Sequence, residues 1–242
     1  MRLSGEPLWA LSLYPEAAEG GGSLLVRRMV VPTGGPPNVE RAEEEAGRRA
    51  RAKIRRYAAA NRLNRLGTLT YRGEGCHDPV ALRLHLAGFF RELRNELDAG
   101  RFAYLWVPQW HPGGHGLHAH FAVGRFVPRR LIERAWPHGF VHIKLLDGLP
   151  VGSGELAEAR LTARYLARYV GRDVESERRL AGLHRYEVAQ GFQPAKIDCY
   201  GESAEDAIER ASGYMGARPE RVWLSSSVEG WRGPPACWAQ WN

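Results

Sequence analysis

Gly116-Leu117-His118-Ala119-His120-Phe121-Ala122-Val123 is the stretch from which the rest of the chain can be read. Its polar and apolar residues alternate, which marks a half-buried strand, and a period of two sends His118 and His120 out of the same face. Two imidazoles side by side on one face can share a metal ion. A pair of surface histidines on an amphipathic strand is the plainer reading of so short a match. What favours the metal is the company this strand keeps. About fifty residues upstream stands Gly67-Thr68-Leu69-Thr70-Tyr71, and a similar distance downstream comes Tyr165-Leu166-Ala167-Arg168-Tyr169.

The downstream block reads as a helix over about 155–171. Tyr165 and Tyr169 are four apart, so both phenols share a face, and at 100° per residue Arg168 and Arg172 fall within about 60° of Tyr165. Ala163, Leu166, Ala167 and Val170 take the opposite side and can pack on a sheet. Burying the tyrosine side as ordinary core would also bury two arginines, which argues against a purely structural role. A phenol, with a pKa of about 10, is a poor nucleophile at neutral pH and needs positive charge beside its target. Arg168 and a divalent metal would supply it.

The three blocks, in this order, resemble the three motifs of rolling-circle replication initiators, the His-hydrophobic-His (HUH) endonucleases of plasmids and single-stranded DNA phages. The resemblance spans roughly residues 67–172 and implies an α+β fold, a ferredoxin-like HUH endonuclease core. It implies a metal-dependent enzyme that nicks and rejoins one DNA strand through a 5′-phosphotyrosine. Tyr169 matches the nucleophile common to the family, and Tyr165 the second tyrosine of its two-tyrosine branch. The implied cofactor is Mg²⁺ or Mn²⁺ on His118 and His120. Gln109, on the facing strand, is the expected third ligand, with His111 and His115 as runners-up. Implied partners are origin DNA, single-stranded or hairpin at the nick, and a host helicase and polymerase. In the family Lys commonly stands where Arg168 and Arg172 stand here; Arg keeps a phosphate clamp but does not readily exchange a proton. Mobilisation relaxases place the tyrosine before the histidines, which argues against that branch. The alternatives are a single-tyrosine transposase of the same superfamily and a non-catalytic basic nucleic-acid-binding module.

Composition fits a polyanionic partner. The 242 residues carry a formal net charge of +7, with 44% hydrophobic and 25% charged residues, ordinary proportions for a chain that folds. Residues 40–66 hold nine basic side chains against four acidic ones. Most of these lie on an expected helix at about 39–62, where crowding of Arg48, Arg49, Arg51, Lys53, Arg55 and Arg56 costs stability unless phosphates lie close by. Arg51, Arg55 and Arg56 are its candidate DNA contacts. The three cysteines, Cys76, Cys199 and Cys237, are too few and too irregularly spaced for a disulfide framework or a four-ligand zinc site. With no signal peptide and no apolar run of about 18 residues, a bacterial cytoplasmic location without a membrane partner is expected. No P-loop occurs in the chain.

Taken in order, residues 3–14 and 24–32 read as two strands joined by a turn at Glu19-Gly20-Gly21-Gly22-Ser23. After the basic helix come a strand at 66–71, a helix opened by Asp78-Pro79, and a strand at 102–109 forming a hairpin with the histidine strand. Pro108 suggests an edge or bulge. A short helix at about 128–136, a strand at 140–146 and the tyrosine helix follow. That order predicts an antiparallel sheet with helices on one face. The expected division is an N-terminal hairpin and basic helix at 1–66, the core at 67–172, and a C-terminal extension at 173–242 packed on the core. The extension would contain a helix at about 204–215 capped by Ser203, and a tail whose Trp223, Trp231, Trp238 and Trp241 serve packing rather than base stacking.

Overall fold

Two antiparallel sheets and five helices make up the described residues, 8–25, 39–98, 100–172 and 184–242, of the computed structural model. In chain order the elements are β1 (Trp9–Tyr14), β2 (Glu19–Leu24), α1 (Val39–Ala60), β3 (Arg65–Tyr71), α2 (Pro79–Glu96), β4 (Tyr104–Trp110) and β5 (Leu117–Val123). Then come α3 (Arg129–Ala135), β6 (Gly139–Lys144), α4 (Gly154–Arg172), β7 (Glu187–Val188), β8 (Ile197–Gly201), α5 (Ala204–Met215), β9 (Arg221–Leu224) and β10 (Ala236–Gln240). The architecture is α+β and compatible with the ferredoxin-like HUH core. No helix among the described residues is long and apolar enough to cross a membrane.

Contacts divide the chain into two units, residues 38–193 and residues 1–37 with 194–242. The division expected from the motifs fell instead after residues 66 and 172. The physical reason is long-range packing. Ile54, Tyr57 and Ala58 of α1 share a buried cluster with Ala163, Leu166 and Val170 of α4, so the basic helix belongs with the motif-bearing sheet. The N-terminal hairpin pairs with strands from the other end of the chain.

Within residues 38–193 the strand order is β6-β3-β5-β4-β7, every pair antiparallel. Helices cover both faces of this sheet, not one as the element order suggested. On one face Leu69, Ala119, Phe121 and Val141 pack with Leu82, Leu86, Phe89 and Phe90 of α2 and Ile132 of α3. On the other, Leu66, Leu105, Val107 and Ala122 pack with α1 and α4. All seven residues of β5 are therefore buried, whereas alternation alone suggested a half-buried strand. Polar and apolar positions alternate here because one face meets a hydrocarbon layer and the other meets a site. Asp78 caps α2 by accepting from the Val80 amide at 2.8 Å, with Pro79 in the first turn. Pro108 takes the edge position anticipated for it: β7 pairs only with Leu105 and Trp106, so no described strand flanks β4 there.

In the second unit the order is β8-β1-β2-β10-β9, again antiparallel, with Ala207, Ile208 and Ala211 of α5 buried and Ser203 capping the helix by accepting from the Asp206 amide at 3.1 Å. The glycine run expected as a turn is instead strand β2, central in the sheet; the reversal occurs at Pro15–Ala18. Glycine is required there by close approach. A Cβ on Gly22 would collide with the Ala10 carbonyl and come within 2.6 Å of the Leu11 Cα. Trp241 is buried and donates to the Ala217 carbonyl at 3.0 Å, and Trp223 meets Trp231 edge to face at 5.2 Å, so these rings pack within their own unit. Residues 3–7 and 26–32 of the expected hairpin lie outside the described residues, as does the charged stretch 173–179. Gly22→Ala should destabilise this unit by about 3 kcal/mol or more, since only backbone movement relieves the collision; an unchanged thermal midpoint would show that β2 does not approach β1 so closely.

Candidate catalytic and metal site

The pairing of three strands builds the polar face. Thr68 lies opposite His120 across β3–β5, and Gln109 lies opposite His118 across β4–β5. All four side chains share the face that carries α1 and α4. The Nε2 atoms of His118 and His120 both approach Gln109 Oε1, at 3.2 and 2.9 Å, and the rings stand 5.0 Å apart at 81°. His120 Nδ1 is 2.9 Å from the Thr68 hydroxyl, which holds the ring and leaves Nε2 to face the amide. His118 Nδ1 is buried without a hydrogen-bond partner among the described residues.

Burial dominates the electrostatics. It lowers His118 to about 4, helped by His111, and His120 to about 3, helped by His118 and Lys144. Both rings are neutral at pH 7 and present lone pairs. Two imidazole nitrogens and an amide oxygen converging within 3.2 Å are a donor set that Mn²⁺ accepts well and Mg²⁺ tolerates. Among the described residues no group of three His, Cys, Asp or Glu could hold a metal, so the set depends on the amide. The alternatives to Gln109 are engaged elsewhere: His115 Nε2 lies 3.2 Å from the Tyr71 carbonyl, and His111 Nδ1 accepts from the Gly113 amide at 3.1 Å. His111 still stands 5.7 Å from His118, ring to ring.

Helix α4 delivers the phenols because Ala163, Leu166 and Val170 fasten its other side to α1 and the sheet. Tyr169 stacks on His120 with centroids 4.0 Å apart and planes 15° apart, and its hydroxyl donates to that of Tyr165 at 2.6 Å. Tyr165 meets His120 edge-on at 6.2 Å. Two cations lie over the Tyr165 ring, Lys144 at 5.0 Å and exposed Arg168 at 5.3 Å. Arg172 ends α4, and its side chain is outside the described residues. Arg51, Arg55 and Arg56 are half-buried on α1, while Arg49 and Lys53 line an open cleft of about 550 Å³ with Arg185.

Two participants escaped the sequence reading. Thr68 lay in a quoted motif without a role, and Lys144 was unremarked, although the alternation Phe140-Val141-His142-Ile143-Lys144 already places three of these side chains on one face.

Residues 64–174 match the family model of the replication-associated protein ORF2 family. This segment belongs to that family. The replication-associated segment holds all three motifs, the histidine strand and the tyrosine helix, and the match assigns the chain a replication-associated function, which entails DNA binding. No curated protein and no solved structure matches the chain.

Metal binding at this triad predicts that His118→Ala or His120→Ala abolishes Mn²⁺ binding measured by calorimetry, and that Thr68→Val weakens it about 10- to 100-fold. Gln109→Ala should raise the half-saturating concentration. Unchanged binding in Gln109→Ala would move the third ligand to His111 or His115.

Proposed function

We propose that the chain is a rolling-circle replication initiator, a metal-dependent endonuclease and strand transferase that nicks an origin and rejoins it through a covalent tyrosine. The observation that carries this reading is the seating of Tyr169 against His120 at 4.0 Å with its hydroxyl bonded to Tyr165, which puts both phenols of α4 over the donor triad. A phenol oxygen attacks the scissile phosphorus, forming the Tyr–O–P bond as the P–O3′ bond breaks. The products are a 5′-phosphotyrosine and a free 3′-hydroxyl. The phosphoester stores the bond, so rejoining needs no nucleotide triphosphate. His118, His120 and Gln109 would hold Mg²⁺ or Mn²⁺, which when bound draws charge from the phosphate oxygens.

The protein's own groups do the rest. Arg168 and Lys144 put positive charge beside the Tyr165 ring, favouring the phenolate and opposing charge growth in the transition state. The hydrogen bond between the two hydroxyls lets each phenol stabilise the other's oxyanion. With two tyrosines over one site, the strand can be passed from one to the other, an arrangement a single-tyrosine transposase lacks. DNA from the origin, single-stranded or as a hairpin, would be held largely through phosphate contacts on the half-buried Arg51, Arg55 and Arg56 and on the exposed Arg49 and Lys53. A host helicase and polymerase would act on the nicked strand, placing the protein in the bacterial cytoplasm.

Labelled single-stranded DNA incubated with Mn²⁺ and resolved by denaturing electrophoresis tests the chemistry: a covalent adduct is expected, and retention without an adduct would leave only a binding module. Tyr169→Phe should eliminate the adduct, because it removes the nucleophile and keeps the aromatic packing. Tyr165→Phe should still nick but fail at the second transfer, leaving linear strands in place of circles; the opposite pattern reverses the assignment. Replacing Arg49 and Lys53 by Ala should flatten the salt dependence of duplex affinity by about 0.9 in slope per lost phosphate contact. An unchanged slope would make that face of α1 a solvated charged surface.

A further inference from the structure

β6 is the outer strand of its sheet, and its register sets three side chains on the face that bears the site. Phe140 lies opposite Thr70, His142 opposite Thr68 and Lys144 opposite Leu66. Thr68 in turn bonds His120, so His142 continues the same cross-strand row away from α4. Val141 and Ile143 point the other way, into the cluster with α2. The row on the site face is open: Phe140 is 68% exposed and His142 is exposed. An exposed phenylalanine on a strand otherwise buried or charged has no packing role on this face. Lys144 ends the row over the Tyr165 ring.

The open face continues past Lys144. A cleft of about 360 Å³ lies between the end of β6, the following loop and α4, with Leu146, Val151 and Leu161 as apolar walls and Arg65 and Lys144 as cations. Asn64 donates to Glu158 at 2.7 Å on its wall, leaving further donor and acceptor capacity for a polar edge. An aromatic face, then an imidazole, then an ammonium, at strand spacings of about 6.6 Å, leading to an apolar cleft rimmed by cations, suits a chain of flat rings joined by anions.

We propose that the site face of β6 is a track for single-stranded DNA, with Phe140 as a stacking platform for one unpaired base, Lys144 on the phosphate presented to the tyrosines, and the adjoining cleft as the seat of a neighbouring base. It deepens the initiator reading above and rests on it for the identity of the strand. Phosphate contacts on α1 explain affinity for a polyanion of any form. The β6 row instead selects a strand whose bases are unpaired, because only those can turn a ring onto Phe140.

The test separates this track from the chemistry. Binding of a fluorescein-labelled oligothymidylate of about 20 nucleotides, longer than the ~4–16 that such grooves occupy, is followed by anisotropy in EDTA. Phe140→Ala should weaken it about 5- to 150-fold, the loss of one stacked base, while Phe140→Trp restores it and Phe126→Ala, another exposed phenylalanine in the same unit, leaves it unchanged. Lys144→Gln should lower the salt slope by about 0.7. Wild-type affinity in Phe140→Ala would overturn the track, whatever the adduct assay gives. Lost affinity in Phe140→Ala together with no adduct from the unaltered protein would keep the track and reject the nicking reading.

Discussion

Strand β5 pairs with β3 on one side and β4 on the other, so its register is constrained twice. That double constraint is what the site depends on. A slip of one residue would send His118 and His120 to the α2 face and bring Ala119 and Phe121 to the tyrosines. Phe121 prevents it, because its ring is locked edge to face against Phe89 at 5.3 Å in a layer that has no room for imidazole. The hydrocarbon layer under the sheet thus holds the polar layer above it in place. Gly67 belongs to the same device: a Cβ there would press on the Phe121 ring, and its absence lets β3 carry Thr68 up to His120.

The same dependence explains what could be read from the chain alone. The period of two in Leu117–Val123 and the period of 3.6 in Gly154–Arg172 gave the histidine face and the tyrosine face without any tertiary information, because each pattern is internal to one element. Gln109 was legible because a hairpin places its arms opposite one another. What escaped was non-local. β5 alternates like a half-exposed strand although α4 closes over its polar side, and no local signal reports a helix some forty residues away. The glycines of β2 carry the composition of a turn, and only pairing with β1 and β10 shows that they are there to let backbones approach. The grouping of the chain into units failed for the same reason, since strands from both ends share one sheet.

Lys144 shows how a visible pattern can lack a visible role. Its strand alternates plainly, yet a lysine at a strand end is ordinarily a solvated charge. Its meaning comes from Tyr165, which α4 brings to within 5.0 Å. Where the resemblance led one to expect a lysine on the tyrosine helix, the chain has Arg168, and a lysine reaches the same phenol from the sheet. The positive field beside the tyrosines is therefore assembled from two elements rather than one, and it survives the replacement of lysine by arginine on α4.

That field has to be weighed against the donor triad, which contributes no negative charge. His118 and His120 are neutral and Gln109 is an amide, so a divalent cation among them would keep its full charge while Lys144 and Arg168 stand close by. Like charges at such separations oppose one another even in a partly screened setting. A phosphate reverses the balance, since its oxygens satisfy the cation, the ammonium and the guanidinium together. Loading of metal and loading of DNA are then thermodynamically coupled, each raising affinity for the other by the same factor. A carboxylate in place of Gln109 would loosen that coupling: it would hold the metal without DNA, at the cost of repelling the strand the metal is there to polarise.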